Sequence, residues 1–430
     1  MATAYIEIND SGIIQAIDGG LIDTSPAFAV LDNDRLILGQ EARENARLLP
    51  RWTNNRFWHQ LSRDPISNAT HNIRHHADLA FAHLESMWNG LSKRADKVII
   101  GVPDIYDQSQ LGLLLGMANE AKIPVAGLVN SALVSVARQA NQSSILHLDI
   151  SLHRITLTEF QLTNELKIVN AVTLSETGLF TLWDRWANVV AQQFIHASRF
   201  DPMHEAHSEQ LLFDLLPKWI TRNNRNTTFN MDISGVIRSI HIPEDQLIQV
   251  CQSIYPKIVQ SVQSIDCSKL YISHRFQGFP GLEAALKTIP KLDIHRLTST
   301  SSMEAVHHHH DDIISKDGGI SHVTSLSLNA YTGLSTKKPI ATHLLYKHQA
   351  CAIGDSISAF RFGDEGIQAI IEGTTEGATF TISNEAGALR LNAISNDLKL
   401  NGQSTEPSTI LSVGDQISIG LQTTTLIVVS

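Results

Sequence analysis

Cysteine is scarce: Cys251, Cys267 and Cys351 are the only three in 430 residues. Thiols so far apart and odd in number give neither a readable disulfide framework nor a thiolate zinc motif. A basic surplus is missing as well, with 33 Lys and Arg against 43 Asp and Glu, a net charge of −10. That balance excludes a general nucleic-acid binder, which needs a basic face for phosphates. No apolar run reaches the length that crosses a bilayer, so no membrane insertion is expected. The first residues lack the basic segment and apolar core of a secretory leader and enter a strand-like Tyr5-Ile6-Glu7-Ile8 directly. The expectation is a cytoplasmic, reduced protein.

What is present is the composition of a folded chain, 43% hydrophobic and 18% charged, long enough for two or three domains. The most informative stretch is Ile145 to Phe160. Ile145, Leu146 and Leu148 lead to Asp149, and Ile155, Leu157 and Phe160 alternate on the way out, so two strands joined by a tight turn are predicted. An earlier hairpin is predicted around Asn9-Asp10-Ser11-Gly12. Helices are predicted over 40–49, 72–94, 107–121, 131–139 and 178–199, and from about Ile242 to Val262. Buried strands are predicted at Lys97 to Pro103 and Lys269 to Ser273. Asn223 to Thr228 is read as an exposed turn, and 298–320, rich in Ser, Thr, His, Asp and Gly, as a loop. From about Pro339 short β-type segments alternate with Gly, Asn and Asp turns, the pattern of a β-sandwich.

Five segments in order resemble the DnaK-type heat-shock chaperones of the actin-like ATPase superfamily. They are Asn9 to Gly12; Pro26 to Val30 with Ile37 to Ala42; Gly101 to Pro103 with Gln108 to Ala121 and Val129 to Ala132; the Asp149 hairpin; and Ile272 to Leu282. The fold this resemblance implies is α/β, an actin-like (ribonuclease H-like) two-lobed ATPase fold, followed by an all-β sandwich. The implied boundaries are 1–334 for the first domain, with lobes at about 1–143 and 144–334, a linker at 335–339, and the sandwich at 340–430.

The resemblance also implies an ATP site, here degenerate, near Asp10, Ser11, Gly12, Asp149, Ser151, His153, His274, Arg275 and Gly278, with Asp10 and Asp149 as the candidate catalytic carboxylates. In active relatives the second hairpin carries glycines that let backbone N–H groups approach phosphates. This chain has Ser151, Leu152 and His153 there, and His274-Arg275 in place of the adenosine-motif glycines. The pocket is therefore expected to be obstructed. Arg154 and Arg275, each beside a turn, read as solvated surface residues.

The last ninety residues resemble a forkhead-associated (FHA) domain. Leu398 to Gly402 followed by Ile410 to Gly420 carries the likeness, with Ala352 to Gly354 as an early match. The resemblance puts the phosphate-binding arginine at Asp355, whose charge has the wrong sign. Leu398, Leu400, Ile410, Ile417 and Ile419 are the expected core.

Other side chains receive ordinary readings. His307 to His310 with Asp311 and Asp312 reads as a solvated loop without metal. His71 and His75 are placed one helical turn apart, and Asp104 and Asp107 are read as helix caps. Phe180, Trp183 and Trp186 are read as a buried helix face. The functional expectation is a DnaK-like pseudo-ATPase that acts as a scaffold through protein partners. No cofactor is expected, ATP and magnesium entering only if the pocket works. The alternatives are an active nucleotide switch and a phosphopeptide adaptor.

Overall fold

The computed structural model describes residues 2–33, 35–142, 144–175, 177–221, 228–315, 319–327, 342–346, 349–353, 357–363, 366–370, 377–385, 388–395, 397–404, 409–411, 414–420 and 422–427. The chain is mixed α/β and divides into two compact units, Met1–Asn329 and Ala330–Ser430. Asp355, the 335–339 segment and most of the Asn223 to Thr228 turn lie outside the described residues.

The first unit contains the same strand arrangement twice. Thr3–Glu7 pairs antiparallel with Ile13–Ile17, which pairs antiparallel with Gly20–Ser25. On its other side Thr3–Glu7 runs parallel to Lys97–Val102, and that strand parallel to Val125–Asn130. The second sheet repeats this pattern. Ser144–Ile150 is antiparallel to Arg154–Leu162, which is antiparallel to Glu165–Ser175, while Lys269–Ile272 and Asp293–Arg296 follow in parallel on the other side. Strands buried on both faces read as near-continuous apolar runs, and Val98, Ile99, Ile100 and Val102 are fully buried. The repeat places two equivalent hairpin tips, Ile8 to Gly12 and Ser151 to His153, at corresponding ends of the two central strands.

Helices cover these sheets through apolar faces. His76–Leu91 buries Leu79, Ala80, Leu84, Met87 and Leu91. Leu179–Ser198 buries Leu182, Trp183, Trp186, Val190 and Phe194; of the face expected from the sequence, Trp183 and Trp186 are buried and Phe180 packs partly against the same core. Ser131–Ala137 starts where strand Val125–Asn130 ends, and the Asn130 side chain caps it by accepting from the Leu133 N–H at 3.0 Å. Phe28, Phe180, Trp183 and Phe213 form a ring cluster under the Arg43 and Arg47 guanidinium groups.

Several sequence expectations are corrected. The 298–320 segment contains helices Ser301–His308 and His310–Ile313, because Met303, Ala305, Val306 and Ile313 reach the core from within the polar run. The helix expected from Ile242 to Val262 is interrupted by a 3₁₀ turn at Cys251–Ser253, and Pro256 sits in the first turn of the next helix, Tyr255–Gln263. The helix expected over 40–49 is only Gly39–Arg43. His75 is the N-cap of His76–Leu91 and His71 precedes the helix, so the two are not one helical turn apart.

Among the described residues, the second unit has two sheets, of six and five strands, in which every pairing is antiparallel. Leu344, Phe360, Phe380, Ile382, Leu391, Leu398, Ile417 and Leu426 form one core drawn from both sheets. Leu400 and Ile419 pack at its edge, and the Ile410 side chain lies outside the described residues. Among the described residues of the whole chain, no helix is long and apolar enough to cross a membrane.

Candidate functional site

The two hairpin tips of the first unit meet. In the first tip Asn9 Oδ1 accepts both the Ser11 N–H, at 3.0 Å, and the Ser11 hydroxyl, at 2.7 Å. The Gly12 N–H donates to the Asn9 carbonyl at 3.0 Å. In the second tip the Ser151 N–H donates to the Arg154 carbonyl at 2.9 Å. These three tip N–H groups are thus bonded inside the protein.

Side chains then cross from one sheet to the other. Asn9 Nδ2 donates to Asp149 Oδ2 at 3.1 Å, and Asp10 Oδ1 accepts the Leu152 N–H at 2.6 Å. Thr158 donates to the Asp104 carboxylate, and His153 Nε2 lies 3.0 Å from the Asn55 carbonyl. The Leu152 side chain is fully buried, and His153 packs against His59 and Phe180. A glycine is required opposite this turn. At Gly178 a Cβ would collide with the Leu152 carbonyl and the His153 nitrogen.

Arg275 completes the junction, and its expected role as a solvated surface residue is wrong. Its side chain is only 8% exposed. One terminal nitrogen lies 2.8 Å from Glu7 Oε1, and the other lies 3.3 and 3.4 Å from the Asp149 oxygens. Burial alone would lower the guanidinium pKa, but Asp149 and Glu7 outweigh it and raise it. Burial would raise the Asp149 pKa, and Arg275, with His147 beside it, holds it below the ordinary carboxylate value. The other Glu7 oxygen accepts from Ser302 and from the Tyr5 hydroxyl, the latter at 3.4 Å.

Below the junction lies a cavity of about 50 Å³, whose walls include Glu7, Asp10, Asp104, His147, Asp149 and Arg154. It has room for one or two waters. Asp10 Oδ2, Asp104 Oδ1 and both His147 ring nitrogens have no hydrogen-bond partner among the described residues. Burial raises the Asp10 pKa, raises Asp104 to about 6 and lowers His147. Asp104 is therefore not a helix cap, as the sequence reading had it. Asp107 is, accepting from the Gln110 N–H at 2.8 Å.

Of the residues singled out in the sequence, Asp10, Ser11, Gly12, Asp149, Ser151, His153 and Arg275 gather at this junction. His274 and Gly278 also line a second, open cavity of about 940 Å³. Its walls include Trp219, Leu247 and Phe279, with Gln277 and Thr298 as polar groups. His274, pushed down to about 4 by burial and by Arg275, is neutral there. Gly278, at φ +73°, packs on the Thr221 backbone, where a side chain would clash. Scans against family models and against curated proteins find no match to this chain.

Glu7 and Asn9 were missed by sequence reasoning as site residues. Glu7 alternates with Ile6 and Ile8, the pattern of a strand with one solvent-facing side, so its burial at 2% exposure shows only in the fold. The His tract holds no metal-binding group among the described residues. His309 pairs with Asp312 at 3.0 Å, and His310 lies 3.0 Å from Asp311 and 3.1 Å from Thr3 Oγ1.

Proposed function

We propose that the first unit is a DnaK-like, actin-fold body that has given up ATP hydrolysis and works with an FHA-like C-terminal sandwich as a protein-interaction scaffold. The repeated order of a three-strand meander followed by two parallel strands supports the fold reading. The observation that carries the functional reading is Arg275, held between Glu7 and Asp149. A triphosphate entering between the hairpins would have to displace that guanidinium, and would then face four carboxylates, those of Glu7, Asp10, Asp104 and Asp149. The space left there is about 50 Å³, whereas small-molecule sites occupy roughly 300–1,000 Å³.

A second reading is a nucleotide-driven switch, and one observation favours it. The 940 Å³ cavity beside His274 has the size and mixed lining of a small-molecule site. A phosphate-release assay with magnesium and ATP separates the two. The scaffold reading expects release no faster than for a chain lacking Asp10 and Asp149, and partner binding that ATP leaves unchanged. Turnover that depends on either carboxylate would favour the switch.

A further inference from the structure

A guanidinium buried between two carboxylates is a cation that the chain supplies to itself. Glu7 ends the central strand of the first sheet, Asp149 lies in the central strand of the second, and Arg275 sits in the 3₁₀ turn His274–Phe276 that follows strand Lys269–Ile272. We propose that Arg275 is a built-in counter-ion that keeps the cleft between the two sheets closed without any ligand, and that it masks Glu7 and Asp149 from solute cations. The proposal rests on the scaffold reading above and adds what holds the body shut.

The geometry makes both carboxylates self-sufficient. Glu7 uses one oxygen for Arg275 and the other for Ser302 and Tyr5. Asp149 takes Arg275 on both oxygens and Asn9 on one. The 3₁₀ turn is itself anchored, with the Ser273 N–H on the Leu148 carbonyl at 2.9 Å and the Arg275 N–H on Ser273 Oγ at 3.3 Å. Without Arg275, two carboxylates from opposite sheets would face each other in a buried space. Asp10, 4% exposed and with an unpartnered Oδ2, lines the same cavity. Like charges confined in this way drive their supports apart unless a cation replaces the one removed. Hard oxygen donors with water completing the shell suit magnesium or calcium.

Thermal melting of the full chain, with no nucleotide in any arm, tests this. Wild type is expected to melt at the same temperature in millimolar magnesium or calcium chloride as in sodium chloride of equal ionic strength. Arg275→Gln is expected to melt roughly 5–10 °C lower, and either divalent salt, but not sodium, to restore at least half of the loss. A variant that melts with wild type would remove the latch. A loss that divalent ions do not restore would show that the carboxylates do not converge, and a divalent shift in wild type would show that they are not masked. Should Arg275→Gln fail to fold, the triple variant Glu7→Gln, Asp149→Asn, Arg275→Met removes the three charges of the latch itself. It is expected to fold and to ignore divalent ions, and its failure to fold would equally overturn the proposal. None of these outcomes depends on ATP, so the proposal and the scaffold reading fail separately.

Discussion

Asp10 Oδ1 accepts the Leu152 N–H at 2.6 Å, joining residues 142 positions apart in the chain, in hairpin turns of different sheets. A hairpin that cradled phosphate would present that N–H to the ligand. Here the protein's own carboxylate takes it, and Leu152, fully buried beside it, fixes the turn. The tip of one hairpin supports the tip of the other.

Replacing Leu152 by glycine should therefore damage the fold without restoring a phosphate site. Loss of a fully buried leucine costs about 2–5 kcal/mol, and Arg275 would still occupy the junction. Chemical denaturation of Leu152→Gly should show that loss, and ATP titration of the folded variant should stay flat.

Gly178 is constrained by space and not by backbone conformation, its φ being −89°. The Leu179 and Phe180 N–H groups, each at 2.9 Å, hold the Ser151 and Leu152 carbonyls against it. Gly178→Ala should destabilise the chain by about 2–3 kcal/mol through overpacking, measured as a lower denaturation midpoint with an unchanged slope.

Asp104 gives a pH signature. Burial raises its pKa to about 6 against the opposing hydrogen bond from Thr158. Between the ordinary value of 3.8 and about 6 the folded state holds a proton that the unfolded chain lacks. Wild type therefore gains stability from this group as pH falls through that window. Asp104→Asn carries no such proton. Its advantage should be greatest above pH 6, roughly 1–2 kcal/mol, and should vanish below about pH 4. Denaturation series at several pH values check both the sign and the window.

Much of the architecture was legible in the sequence because it is local. The Asn9 to Gly12 turn, the Ser151 to His153 turn and the apolar strands around them were each visible within a few residues. Arg275 was not, because its partners lie 268 and 126 positions away. Beside a turn it looked like any surface arginine until the fold brought Glu7 and Asp149 to it. Asp104 was misread for the same reason, since its Thr158 partner belongs to the other sheet. The helix at Ser301–His308 was hidden by composition, with only three buried apolar side chains, Met303, Ala305 and Val306, among serines and histidines.

The chain itself fills the junction of the two hairpins. Calorimetric titration of the full chain with ATP and magnesium tests it most directly. No saturable heat is expected up to roughly millimolar ATP, the weak end of specific binding, in wild type and in Asp149→Asn alike. Saturable micromolar binding in wild type that Asp149→Asn abolishes would contradict it.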